Sequence, residues 1–239
     1  VCSSDLLRGD GTIGIGKAGK RQARPDRAVI AYATKCREAY KGVPVIVGGV
    51  EASLRALAHY DYWSDKVRRS EMIDAKGDLL IHGMGERALC ETMRRLSALA
   101  ESGELEKGAA AWAPALRGIP GTAWAASKAP AELQPERADD FLELPSYEEL
   151  AGADEGSKAK FIEATRLRYA NADWHYARPL AQRSEARYAV LEPSAPPLSR
   201  TELDRVHDLP YERAWHPIDR KSTRLNSSHE WISRMPSSA

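Results

Sequence analysis

The sequence predicts an α/β fold: a partial Rossmann-like parallel sheet with helices, followed by an irregular and helical connector. Three observations point there. Two short apolar runs, Val43-Pro44-Val45-Ile46-Val47 and Asp78-Leu79-Leu80-Ile81-His82, have the composition of strands buried on both faces. Each ends in glycines, Gly48-Gly49 and Gly83-Met84-Gly85. Each is then followed by a helical pattern, and alternating helix and strand is the order of a parallel sheet carrying helices.

The elements follow in chain order. After Pro25-Asp26, a good helix opening, Val29, Tyr32, Ala33, Cys36 and Tyr40 recur at helical spacing, and Gly42 ends that helix. The first strand comes next, then a short helix over 51–58 with Leu54 and Leu57 on one side. The second strand leads to a helix opened by Glu86, with Leu89, Met93, Leu96 and Leu99 near one face. Two strands do not make a stable doubly wound sheet. Further strands are therefore expected upstream of residue 1, and the chain reads as a fragment. From 103 to 157 periodicity is poor, and an irregular linker is expected, with a strand over 141–144. Residues 158–169 form a helix with Phe161, Ile162, Thr165 and Tyr169 roughly in line. The prolines of 192–197 demand extended backbone, and 201–206 form a short helix.

This reading divides the chain into a leader (1–8) of non-native look, a partial α/β domain (9–102), the linker (103–157), a helical and proline-rich connector (158–217) and a tail (218–239) of non-native look. The tail is rich in serine and arginine and has no apolar pattern that joins a core.

Composition narrows the function classes. Lys and Arg number 35 against 34 Asp and Glu, a net charge of +1, which lacks the basic excess of a typical nucleic-acid binder. No apolar run approaches the roughly 20 residues of a membrane span, and no basic-then-apolar start marks a secretory signal. The cytoplasm is the expected compartment. Three cysteines, Cys2, Cys36 and Cys90, are too few and too dispersed for a disulfide framework or a metal knuckle. Cys36 and Cys90 fall in apolar helical patterns and are expected to be small buried hydrophobes.

Several motifs invite chemistry. Gly14 to Arg21 nearly spells a phosphate-binding loop, but Arg21 stands where Ser or Thr would hold magnesium and no strand precedes it, so a flexible basic loop is favoured. The glycine turns form a pair: Gly48, Gly49 and Glu51 on one, Gly83, Gly85 and Glu86 on the other. Both lie at carboxyl ends of strands, where open α/β sheets bind ligands. They make either a ligand- or domain-facing rim or simple tight turns. The run His59-Tyr60-Asp61-Tyr62-Trp63-Ser64-Asp65-Lys66-Val67-Arg68-Arg69-Ser70 is the densest aromatic and charged cluster. His59, Tyr60, Tyr62, Trp63, Lys66, Arg68 and Arg69 suit a domain-docking surface, favoured over RNA contact because Asp61 and Asp65 offset the positive charge. An ordered surface loop is the bland alternative. Asp173-Trp174-His175 suggests a metal-binding histidine, but a lone surface histidine is the commoner case. No catalytic residue and no metal ligand is assigned.

The stretches Val43 to Arg55, His59 to Ser70, Asp78-Leu79-Leu80 with Gly83 and Glu86-Arg87-Ala88 resemble the N-terminal region of YgiQ-type (UPF0313) radical-SAM proteins. So do Gly16 to Arg21, Cys36 to Lys41, Ala195-Pro196-Pro197-Leu198, Leu203-Asp204 and Asp208-Leu209-Pro210-Tyr211. The similarity spans about 14–217, and the twelve-residue aromatic run is its most specific part. The resemblance implies a cobalamin-binding-type Rossmann layer followed by a radical-SAM barrel, the intramolecular partner. It implies for the full-length parent a 4Fe–4S cluster on closely spaced cysteines, with S-adenosylmethionine. This chain has no such loop, so no cofactor is assigned to it and it is expected to be inactive alone. A stand-alone corrinoid- or nucleotide-binding module is the second reading, and an RNA-contacting domain the third.

Overall fold

The computed structural model describes residues 27–212. The chain divides into two units, 26–197 and the remainder, 1–25 with 198–239. The leader, the Gly14 to Arg21 loop, Cys2 and the tail lie outside the described residues.

In the unit 26–197, α1 (Ala28–Ala39) leads to β1 (Ile46–Val47) and α2 (Gly49–Leu54). A hairpin of β2 (His59–Asp61) and β3 (Lys66–Arg68) precedes α3 (Glu71–Ala75), β4 (Leu79–Ile81) and α4 (Glu86–Glu101). There follow α5 (Ala109–Ala115), β5 (Thr122–Ala126), α6 (Pro130–Leu133), β6 (Leu142–Leu144), α7 (Tyr147–Leu150) and α8 (Glu155–Ala170). The unit closes with β7 (Leu180–Ser184) and β8 (Arg187–Leu191). The described part of the second unit holds α9 (Arg200–His207), opened by a capping box in which Ser199 Oγ accepts from the Glu202 amide at 3.3 Å.

Six strands form one sheet in the order β1-β4-β5-β8-β7-β6. The fold is α/β as expected, with β1 and β4 parallel, Ile46 opposite Leu79. The sheet is mixed rather than wholly parallel: β5 runs antiparallel to both β4 and β8, and β7 antiparallel to β8. The additional strands come from downstream: β5 arises in the segment expected to be an irregular linker, and β6 falls on the strand expected there over 141–144. β5 reads Thr-Ala-Trp-Ala-Ala, a composition of weak strand preference. Its neighbours on both sides impose the conformation. Gly121 just before it, at φ +81°, would bring a Cβ within 3.2 Å of Ala195 and 3.3 Å of Ala88, so the approach needs glycine.

Both sheet faces are covered. Leu79, Trp124 and Val190 pack against Ala88 and Leu96 of α4 and Trp112 of α5. The adjacent residues Leu80 and Ala123 point the other way, among Ala33 of α1, Ala52 of α2 and Met72 of α3. This alternation is the two-residue period of a strand. Asp78 ties the first helix to the sheet: its Oδ2 accepts from Val45 N at 2.7 Å and pairs with Arg37 at 2.9 Å.

Some expected faces are displaced. On α4 the buried stripe is Ala88, Thr92 and Leu96, while Leu89 and Met93 are exposed. On α8, Ile162 and Tyr169 are exposed and Ala164 is buried. Cys36 and Cys90 are exposed thiols, not buried hydrophobes; Cys90 stands two residues from both Ala88 and Thr92, on the side of α4 away from the buried stripe. Among the described residues no helix is long and apolar enough to cross a membrane.

Candidate functional site

Strands β1, β4 and β8 share a direction, so their carboxyl ends meet on one edge of the sheet. There the two glycine turns stand. Gly48 precedes α2 and Gly49, at φ +88°, begins it; Gly83, at φ +66°, leaves β4, and Gly85 precedes α4. Ser53 Oγ accepts from the Gly83 amide at 3.3 Å, joining the two turns. Glu51 pairs with Arg55 at 2.6 Å. One carboxyl oxygen of Glu86, Oε2, is buried without a hydrogen-bond partner among the described residues. Val50, Leu54 and Met84 carry apolar side chains into the open around these turns.

The aromatic run folds as the β2–β3 hairpin, with Tyr60 opposite Val67 and Asp61 opposite Lys66. Val67 packs with Ala58, Leu150 and Ala164, while the longer Tyr60 ring is exposed. Asp61 is buried and organises the turn. It accepts from Ser64 Oγ at 2.8 Å, Trp63 N at 3.3 Å and Arg27 Nη2 at 3.0 Å. The Ser64 hydroxyl, with Arg27, holds its carboxyl below the ordinary value against the opposing effect of burial. The turn thrusts out Tyr62 and Trp63, 71% and 80% exposed, with rings stacked at 5.3 Å. Arg68 and Arg69 turn back to Asp74, and Arg69 also lies 3.7 Å from Glu185. His59 is half-buried; burial pushes its imidazole down from its usual value.

Next to both features lies a cleft of about 530 Å³. Ser53, Leu54, His59 and Tyr60 line one part of it, His82 and Glu192 the strand ends, and Phe161, Thr165 and Arg168 the wall from α8. His82 is pushed down by burial, and its Nε2 lies 3.1 Å from the Glu192 carbonyl oxygen. The sequence reading places its rim one residue away, at Gly83, and does not single out Arg168. The available signal is the spacing of Phe161, Thr165 and Arg168, which sets a cation on the inward stripe of a helix.

His175 sits exposed in a loop, its Nδ1 2.8 Å from Asp173 and its ring stacked on Trp174. Among the described residues no three His, Cys, Asp or Glu side chains converge as a metal centre needs.

The sequence matches the family model described as Radical SAM N-terminal over residues 14–230. It is 41% identical over 204 residues to a UPF0313 protein of Thermotoga maritima, covering 85% of this chain and 32% of that protein. A UPF0313 protein of Geobacter sulfurreducens is 44% identical over 195 residues, covering 82% of this chain and 29% of the relative. One of Rhodopseudomonas palustris is 44% identical over 209 residues, covering 84% and 29%. The chain thus spans about a third of the length of these curated relatives. No solved structure matches. The chain belongs to the radical SAM N-terminal family, among the UPF0313 proteins.

Proposed function

We propose that this region is the accessory α/β part of a radical-SAM enzyme and docks against that enzyme's catalytic remainder. In the full-length parent that remainder supplies a 4Fe–4S cluster and S-adenosylmethionine. The observation that carries the reading is the β2–β3 hairpin. A buried carboxylate holds its turn rigid, yet Tyr60, Tyr62 and Trp63 stand in solvent. Large aromatics kept exposed on a fixed turn have the character of interface hot spots. Leu54, Val50 and Met84 at the glycine turns extend the apolar surface. The pairing of Arg68 and Arg69 with Asp74 lowers the positive charge that RNA contact would use.

Photo-crosslinking tests this. With a benzophenone amino acid at Tyr62 in the full-length parent, crosslinks should join the hairpin to peptides of the cluster-bearing part. Crosslinks confined to other molecules, or none, would reject the docking surface. Iron reconstitution of the 239-residue chain alone should give no 4Fe–4S absorbance; a stoichiometric cluster would refute the accessory role.

A further inference from the structure

Among the described residues, two arginines line the cleft and no free carboxylate answers them. Arg168 has no hydrogen-bond or ion-pair partner among the described residues. Burial pushes its guanidinium down from its usual value, with a weak opposing effect from Tyr169. Arg178 also lines the cleft. It donates to the backbone carbonyls of Asp139 and Asp140, at 2.9 Å to Asp140, so its charge meets no carboxylate. The one lining carboxylate is Glu192, and it is committed elsewhere. Its Oε2 pairs with Arg137 at 2.9 Å, and its Oε1 accepts from Trp124 Nε1 at 3.0 Å and Gly118 N at 3.2 Å.

A half-buried cation without a counter-charge is partly desolvated, and folded proteins tend to pair such groups or aim them at something. Position near the end of α8 does not account for it. A cation there is favoured by the helix dipole while still solvated, as Arg166 is on the exposed face of the same helix. The cleft also offers apolar and aromatic surface, from Phe161, Tyr60 and Leu191. A volume of about 530 Å³ suits a small molecule rather than a lone ion.

We propose that this cleft binds a small organic anion with a flat apolar body, its phosphate or carboxylate head on the Arg168 guanidinium and its ring against Tyr60 and Phe161. Arg is suited to either head because its fork meets two oxygens at once. Every residue named lies between Ser53 and Ser194, within one unit, and the cleft shares Tyr60 and Leu54 with the docking surface proposed above.

Calorimetric titration of the 239-residue chain tests the site with four probes: phenyl phosphate, benzoate, inorganic phosphate and neutral benzamide. At least one ring-bearing anion should bind saturably with Kd of about 1 mM or tighter, and benzamide should not. Binding of phenyl phosphate alone assigns a phosphate ester, and of benzoate alone a carboxylate. Inorganic phosphate binding as tightly as phenyl phosphate would overturn the role of the ring. R168Q should weaken binding about tenfold or more, R168K by less, and R166Q not at all. Should R168Q fail to melt cooperatively, phenylglyoxal labelling of the unaltered chain reads the same point: phenyl phosphate or benzoate must slow modification at Arg168. No saturable binding, or binding indifferent to R168Q with Arg168 unprotected, overturns the proposal.

Discussion

Glu192 and Asp61 are both buried carboxylates holding several donors, and they do opposite things with their surroundings. Glu192 joins Arg137, Trp124 and the Gly118 amide at the end of β8, in a setting where Trp124 is 3% exposed. Its bonds close the sheet over the core. Asp61 holds Ser64, the Trp63 amide and Arg27, and the result is a turn whose two large rings stand in water. Its bonds present a surface. The same chemistry, a desolvated carboxylate with its lone pairs filled, builds a core at one place and an exposed aromatic edge at the other. Glu71 is a third case: it is buried, neither oxygen has a hydrogen bond, and Arg55 stands 3.7 Å away.

The largest effect separating these acids belongs to Glu192. E192A leaves Arg137 and the Trp124 indole without their acceptor and should cost about 3–5 kcal/mol by urea denaturation. A cost as small as that of a surface substitution would break the contrast. Glu71 comes next. Burial, helped by Glu51 and opposed by Arg55, pushes its carboxyl from 4.5 to about 7. The folded state therefore holds the proton more tightly than the unfolded one. Stability from this group is complete below its unfolded value and declines as pH rises from 4.5 to about 7. E71Q should flatten that decline and gain about 2 kcal/mol at pH 8. A variant that keeps the slope of the unaltered chain would show the charge to be satisfied.

D61N should cost about 1–2 kcal/mol, felt first in the hairpin. Hydrogen exchange over 59–68 should rise more than over β4 and β8. The normal carboxylate is held below its ordinary value, so its contribution is present at neutral pH and lost as pH falls through the folded value. Uniform loosening of the sheet would place Asp61 with Glu192. The smallest effect is expected of W63A, under about 0.5 kcal/mol. A destabilisation of 2 kcal/mol or more would mean that the ring packs into the fold and is not displayed.

Much of the first hundred residues was legible. Val43 to Val47 and the Leu79-Leu80-Ile81 centre of 78–82 are apolar runs of the kind buried on both faces of a sheet, and β1 and β4 pair in parallel as expected. The glycine turns fall where the chain must reverse at positive φ. The hairpin was legible as a composition and not as a shape, since nothing local tells which of its residues Asp61 will gather. β5 was not legible. Three of its five residues are alanine, which carries little strand preference, and its partners Leu80 and Val190 are 43 and 66 residues from Ala123 and Trp124. Arg168 was overlooked because a charged residue on a helix reads as solvated until the neighbouring wall is known.

The sequence by itself determined the α/β class, the first two sheet strands and the aromatic run as a composition, because each can be read from a short continuous stretch of residues. The tertiary structure alone decided the mixed order of the sheet, the exposure of Cys36 and Cys90 and the desolvation of Arg168. Those depend on which distant surfaces meet, and a residue's burial is a property of what packs against it and not of its own chemistry.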